Sequence, residues 1–359
     1  MEPDSIKTRV ARFCRTEGLE MPILMAPMAG ACPVALASAV ARAGGMGACG
    51  ALLMSPGQIA DWARDMRAAA NGAFQMNLWI PDPEPVRDAA GEAAVRAFLG
   101  QWGPAVEEDD AEAPLPDFDA QCAAMLAAGP AVVSSIMGVY PPGFVAEMKA
   151  RGIRWYATAT TVAEALEAEA AGADVIVAQG MEAGGHRGAF EAGQAGEQLV
   201  GLFSLLPAIV DAVSLPVVAT GGIADARGIA AALVLGASAV QIGTGLLRTP
   251  EAGLAPVWAD ALVTARPEDT LATRAFSGRL GRSLATDYAK AAGSVDAPPP
   301  APYPVQRNLT AKMRGAAVAE GDLERMQAWA GQSAGLSAAE PAAALVGRLW
   351  AEAQALLPG

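Results

Sequence analysis

An alternation constrains this chain more than any other feature. Short apolar runs occupy residues 21–26, 47–50, 73–79, 131–137, 154–158, 174–179, 216–220 and 239–244. Between them lie longer, Ala-rich stretches at 33–43, 56–70, 84–101 with 119–128, 142–151, 162–171, 198–213 and 225–235. The short runs have strand length, and those at 132–136, 175–178 and 217–220 are nearly continuous apolar segments, as parallel strands buried on both faces require. The longer stretches read as helices. Ser55 followed by Pro56 and Gln58 has the form of a capped helix start with proline at the first helical position, and Thr161 with Glu164 has capping-box spacing. Strand–helix alternation implies a parallel sheet with helical crossovers. Eight such units predict an α/β fold, a closed (β/α)8 TIM barrel. An open doubly wound sheet should carry a glycine-rich fingerprint in its first turn, and Ala26-Pro27-Met28-Ala29-Gly30 lacks it.

Two segments stand outside the repeat. Residues 102–118 (WGPAVEEDDAEAPLPDF) hold six acidic residues, no basic one and three prolines, which predicts a solvated loop interrupting the third crossover, open to a lid role. Residues 250–359 are too long for one barrel helix. The division expected is therefore a barrel over 1–249 and a C-terminal helical extension over 250–359 packed at the barrel mouth. Within that extension 296–304 (DAPPPAPYP) reads as stiff extended chain, and Ser337 with Glu340 as the cap of a last helix running to about Leu356.

Composition narrows the function. Twenty-five basic against 38 acidic residues leave a formal charge of −13, which argues against nucleic acid or an anionic membrane as partner. The apolar fraction of 53% includes 84 alanines and forms no long lipid-length run, so no membrane span is expected. The N-terminal stretch MEPDSIKTRVARFCRTEG carries charges where a signal peptide needs an apolar core, which reads as a cytoplasmic protein. Four cysteines without a CxxC pair argue against a zinc site or disulfide framework. A single histidine excludes a multi-histidine metal site, so no metal is expected, and any imidazole chemistry falls to His186.

Barrel chemistry sits at the C-terminal strand ends, and the last two loops often hold a phosphate. The seventh run ends in Thr220-Gly221-Gly222-Ile223 and the eighth in Gln241-Ile242-Gly243-Thr244-Gly245. Glycines there let backbone N–H groups approach an anion. The sixth run opens into Gln179-Gly180-Met181-Glu182-Ala183-Gly184-Gly185-His186-Arg187-Gly188, a loop suited to close approach of a flat ligand. Asn77 at the third strand end and Gln179 at the sixth need hydrogen-bond partners if buried. Ala26, Pro27 and Met28 are small or apolar enough to line a ring face. Ser277 and Arg279 lie on a later loop, where Arg279 serves either to attract an anionic substrate or as a surface ion-pair residue. With Tyr303 they form the candidate substrate set.

The motifs PILMAPMAG, AGGMGACG, FQMNLW, QGMEAGGHRG, ATGGIADARGIAAALVLGASAVQIGT, FSGRLGR and YPVQRNLTAKMR together resemble the nitronate monooxygenase family, formerly the 2-nitropropane dioxygenases, in its bacterial class I type. The resemblance runs from about residue 15 to 335. It implies an FMN-binding barrel in which Ala26, Pro27 and Met28 flank the isoalloxazine. Asn77 and Gln179 would bond the ring or ribityl chain, and Gly184 and Gly185 would lie against the cofactor. Gly221, Gly222, Gln241, Gly243 and Thr244 would hold the phosphate, with His186 as the active-site histidine. The implied reaction takes an alkyl nitronate and O2 to a carbonyl compound and nitrite. A nitronate is already deprotonated, so His186 is expected as a hydrogen-bond or electrostatic partner of the anion, and as a base only for neutral nitroalkanes. An ordinary pKa near ~6.5 makes either charge state accessible. The same glycine turns would serve an NAD(P)H-dependent FMN reductase acting on quinones or enoyl thioesters, or a non-catalytic phosphate-ligand barrel. These readings stay open on the residues alone, as does the oligomeric state.

Overall fold

The computed structural model describes residues 5–358. Eight parallel strands form the barrel wall: β1 (Ile23–Met25), β2 (Gly47–Gly50), β3 (Phe74–Trp79), β4 (Val132–Ile136), β5 (Arg154–Ala159), β6 (Val175–Gln179), β8 (Val217–Thr220) and β9 (Ala239–Ile242). Their order is β1-β9-β8-β6-β5-β4-β3-β2, and a parallel bridge from Leu24 to Met46 joins the two outer strands, so the sheet closes. All eight expected strands are present, most trimmed at their ends. For β1 the cause is local: Pro22 and Pro27 have no N–H to give a ladder. The predicted caps at Ser55 and Thr161 form as capping boxes.

Three short strands make a second sheet over the mouth: β7 (Gly185–His186), β10 (Thr270–Thr273) and β11 (Gly281–Leu284), antiparallel in the order β10-β11-β7. This sheet was not legible in the sequence, because each strand is two to four residues long. An unpredicted helix, Ile6–Glu17, is capped by Ser5 and ended by left-handed Gly18, and sends Val10 and Phe13 into the barrel core.

The C-terminal part differs from expectation in a way that changes the architecture. Helix Ala342–Leu356 packs against Val34–Arg42 and Ala226–Val234, in the gap where the eighth barrel helix belongs. Leu345, Val346 and Leu349 join the barrel core there, each worth roughly 1.5–3 kcal/mol of burial. Residues 1–249 thus lack one wall helix, and residues 243–341 are a long excursion between the last strand and its own helix. The expected cap does not form: Ser337 donates its hydroxyl back to Ala334 O (2.7 Å), and the helix starts after Pro341 with its first N–H, Ala342 N, bound by the Glu251 carboxylate (3.1 Å).

The acidic segment 102–118 is likewise no free loop. It contains a short 3-10 turn, Glu108–Glu112, and buries Ala111 in a cluster with Val305, Leu309 and Met313. Asp110 pairs with Lys312 (2.5 Å) and Glu112 with Arg87 (2.8 Å), so two of the six acidic side chains are anchors. No helix among the described residues is long and apolar enough to cross a membrane.

Candidate active site

The C-terminal strand ends and the excursion enclose a cavity of about 250 Å³. Ala26, Pro27, Met28, Asn77, Gln179, Gly184, Gly185, His186, Gly221, Gly222, Gln241, Gly243, Thr244, Ser277 and Tyr303 all lie on its wall. Arg279 does not. Its guanidinium is 1% exposed, clamps Asp82 (Nε–Oδ2, 2.8 Å) and donates to Ala189 O (2.7 Å). Of the two readings open for Arg279, the ion pair holds, but it is buried rather than on the surface, and the side chain is no part of the cavity wall.

The amides on the wall are pre-oriented. Buried Gln75 donates to Gln241 Oε1 (3.0 Å) and Met25 O (3.0 Å), which leaves Gln241 Nε2 to face a ligand. Asn77 Nδ2 is taken by Ser134 Oγ (3.1 Å), which leaves Oδ1. Gln179 works differently. Its Nε2 donates to His186 O (3.1 Å) and its Oε1 accepts from Gly188 N (2.8 Å), so its amide chiefly ties down the loop that carries the histidine. Arg187 secures the same loop from below, donating to Gln179 O, Thr160 O and Gln198 O.

The glycine turns have two distinct jobs. Gly221 and Gly222 adopt φ 109° and 68°, a region costly for other residues. The N–H groups of Gly222 and Ile223 have no protein acceptor among the described residues, and Gly222 O receives Ser333 Oγ (2.6 Å). Unpaired N–H groups in such a turn are able to receive an anion. Gly184 is required by packing instead: a Cβ there would stand 2.5 Å from Gly331 N and 2.8 Å from Thr244 Oγ1. Gly331 N in turn donates to Thr244 Oγ1 (3.0 Å), so the segment 329–333 straps across both glycine turns.

His186 sits between the edges of Trp79 (centroids 4.6 Å) and Trp329 (4.8 Å). Its Nε2 is 2.7 Å from Ser277 Oγ, and that hydroxyl donates to Arg279 O (3.1 Å). A hydroxyl has one proton. When that proton is on the carbonyl, the imidazole takes the tautomer that donates through Nε2–H and keeps its lone pair on Nδ1. Burial first, then the positive fields of Arg279, Arg314 and Arg307, push its pKa down to about 3. The ring is neutral at pH 7, so the expectation that either charge state is accessible is corrected.

Two site residues escaped the sequence reading. Arg307 and Arg314 line the cavity, and no carboxylate among the described residues pairs with either. Arg314 is held by Thr310 Oγ1 (3.1 Å), Gln327 Oε1 (3.0 Å) and Arg307 O (2.8 Å). Burial, then the neighbouring Arg307, lowers its pKa to about 10, so it remains a cation at pH 7. They stand seven residues apart in VQRNLTAKMR, about two helical turns, a spacing that solvent-facing arginines share, so no local signal marked them. The buried Tyr303 hydroxyl has no protein partner among the described residues, and burial raises its pKa to about 12, so it stays a donor.

Comparison with known proteins agrees with this geometry. The family model described as nitronate monooxygenase matches residues 14–352. A nitronate monooxygenase of Paraburkholderia phytofirmans is 38% identical over 342 residues, covering 92% of each chain. The crystal structure of a nitroalkane oxidase from Streptomyces ansochromogenes superposes with a TM-score of 0.86 at 35% identity, covering 96% of this chain and 99% of that one. FabK from Thermotoga maritima superposes with a TM-score of 0.75 at 30% identity, covering 96% of both. The chain belongs to the nitronate monooxygenase family of oxidoreductases.

Proposed function

We propose that this enzyme oxidises alkyl nitronates with O2, using FMN, to a carbonyl compound and nitrite. The observation that carries the reading is the pair of carboxylate-free cations, Arg307 and Arg314, sharing a cavity with a neutral imidazole. A cavity so charged in a chain of net charge −13 is a site for an anion.

The wall residues fit FMN. Gly222 and Ile223 offer free N–H groups for a phosphate, with Ser333 and Thr244 beside them. Asn77 Oδ1 and Gln241 Nε2 supply an acceptor and a donor, and Ala26, Pro27 and Met28 an apolar face. When bound, the flavin supplies the electron acceptor and the route to O2.

The protein's own residues divide the remaining work. Arg307, Arg314 and the Tyr303 hydroxyl bind and orient the nitro oxygens. His186, neutral and donating through Nε2–H, cannot supply positive charge to a nitronate. Its free lone pair makes it the acceptor of the α-proton when the substrate arrives as a neutral nitroalkane. As that proton leaves, the new anion offsets the guanidinium fields that depress the imidazole pKa, so the ring's proton affinity rises in step with the transfer. Trp79 and Trp329 pack against the ring and hold it in place.

Anaerobic mixing of the flavin-loaded enzyme with ethyl nitronate should bleach the absorbance near ~450 nm, and in air the mixture should accumulate nitrite. Rapid bleaching by NADH with no response to nitronate would overturn the proposal in favour of a reductase.

A further inference from the structure

We infer that Asn308 is a positioning residue for Arg307, and that through it the acidic insertion 102–118 sets the preference for anionic over neutral substrates. The inference rests on the anion-binding role proposed above for Arg307.

The two cavity cations are held very differently. Arg314 makes three hydrogen bonds to fixed partners. Arg307 makes one side-chain hydrogen bond among the described residues, from Nη1 to Asn308 Oδ1 (3.2 Å). Its direction therefore depends on which way the Asn308 amide faces. An amide NH2 has two hydrogens. Asn308 Nδ2 lies 3.0 Å from Ala111 O and 2.8 Å from Ala113 O, so both hydrogens are committed to the insertion. A flip would set Oδ1 against two carbonyl oxygens, in a side chain only 4% exposed. The insertion thus fixes the amide, and the amide fixes Oδ1 toward Arg307.

The insertion is itself anchored to the helices that carry the cations. Lys312, between Arg307 and Arg314 in the chain, binds Asp110 (2.5 Å) and Ala105 O (3.3 Å). Gly103 packs where a Cβ would touch Met313 Cα at 3.0 Å. The acidic residues of this segment are spent on lysine and arginine partners or face solvent, so the field at the cavity stays positive while the backbone carbonyls do the holding.

The test is a double-mutant cycle in the flavin-loaded enzyme, with KM and kcat measured for an alkyl nitronate and for its neutral parent nitroalkane. Asn308→Ala should raise the nitronate KM about fivefold, the worth of one hydrogen bond, with kcat within about twofold and the nitroalkane KM unmoved. In an Arg307→Ala background the same change should add nothing, because its effect travels through that guanidinium. Lys312→Ala, an exposed substitution that loosens the same insertion without opening the core, should show a smaller nitronate-specific rise that also disappears without Arg307. It carries the test should Asn308→Ala fail to fold. Equal effects of either variant with and without Arg307, or equal KM changes for both substrates, would overturn the inference and leave the functional reading standing. A parent enzyme that releases no nitrite from nitronate would overturn both.

Discussion

At the scale of single residues, the proposed function makes His186 the residue that would divide the reaction between its two substrate forms. A neutral imidazole with its lone pair free serves proton abstraction, whereas a preformed nitronate has no proton to lose. His186→Asn should therefore cost neutral nitroalkane turnover about 10²-fold or more and nitronate turnover only a few fold, with flavin retained. Equal losses on both substrates would remove the base assignment. The lowered pKa gives a second prediction. Because kcat/KM reports the free enzyme, its profile for nitronate, corrected for the substrate's own ionisation, should show no histidine inflection between about pH 5 and pH 8. The stability sign follows from the same shift. The folded state resists a proton that the unfolded chain accepts near pH ~6.5, so the neutral ring's contribution is whole above that pH and declines as pH falls toward about 3. Asparagine cannot take that proton. The Tm difference between His186→Asn and parent should then move in the variant's favour as pH drops below about 6, and a constant difference would place the imidazole pKa near its ordinary value.

At the scale of elements, the strap 329–333 and the glycine turns beneath it act as one unit. Gly184→Ala would push a methyl into Gly331 N and Ala330 C at 2.5 and 2.7 Å, both backbone atoms that cannot rotate away. The expected cost is about 1–3 kcal/mol of overpacking, read as a fall in Tm, together with weaker flavin retention because Thr244 and Ser333 shift with the strap. An unchanged Tm would mean that the strap is free to lift. This unit also marks where sequence reading stops. The strands were legible because period and apolar run length act locally, and the glycine turns on the cavity wall because glycines at two successive strand ends form a local pattern. Gly184 was legible as a site residue, but its clash partner lies 147 positions further along and leaves no local trace. Arg279 stayed open between anion ligand and surface ion-pair residue because its partner Asp82 is 197 residues away. Arg307 and Arg314 were overlooked because an arginine facing a cavity and one facing solvent share the same helical spacing. The final helix was visible as a helix, but its place as the barrel's eighth wall element came only from its contacts with Val34–Arg42 and Ala226–Val234.

At the scale of the whole molecule, two fields of opposite sign act on an anionic substrate. The net charge of −13 repels it at long range, through solvent, where salt screens effectively. Arg307 and Arg314 attract it at short range, inside the protein, where salt screens little. Raising ionic strength from about 10 to about 150 mM shortens the screening length to near 8 Å. That weakens the repulsion met on approach while leaving the attraction inside almost intact. kcat/KM for nitronate should therefore rise with salt, by about two- to threefold over that range, while kcat stays level and the neutral nitroalkane shows no trend. The opposite slope, a nitronate kcat/KM that falls as salt is added, would mean that the cavity's positive field reaches beyond the mouth and steers substrate in, and that the acidic surface does not govern its approach.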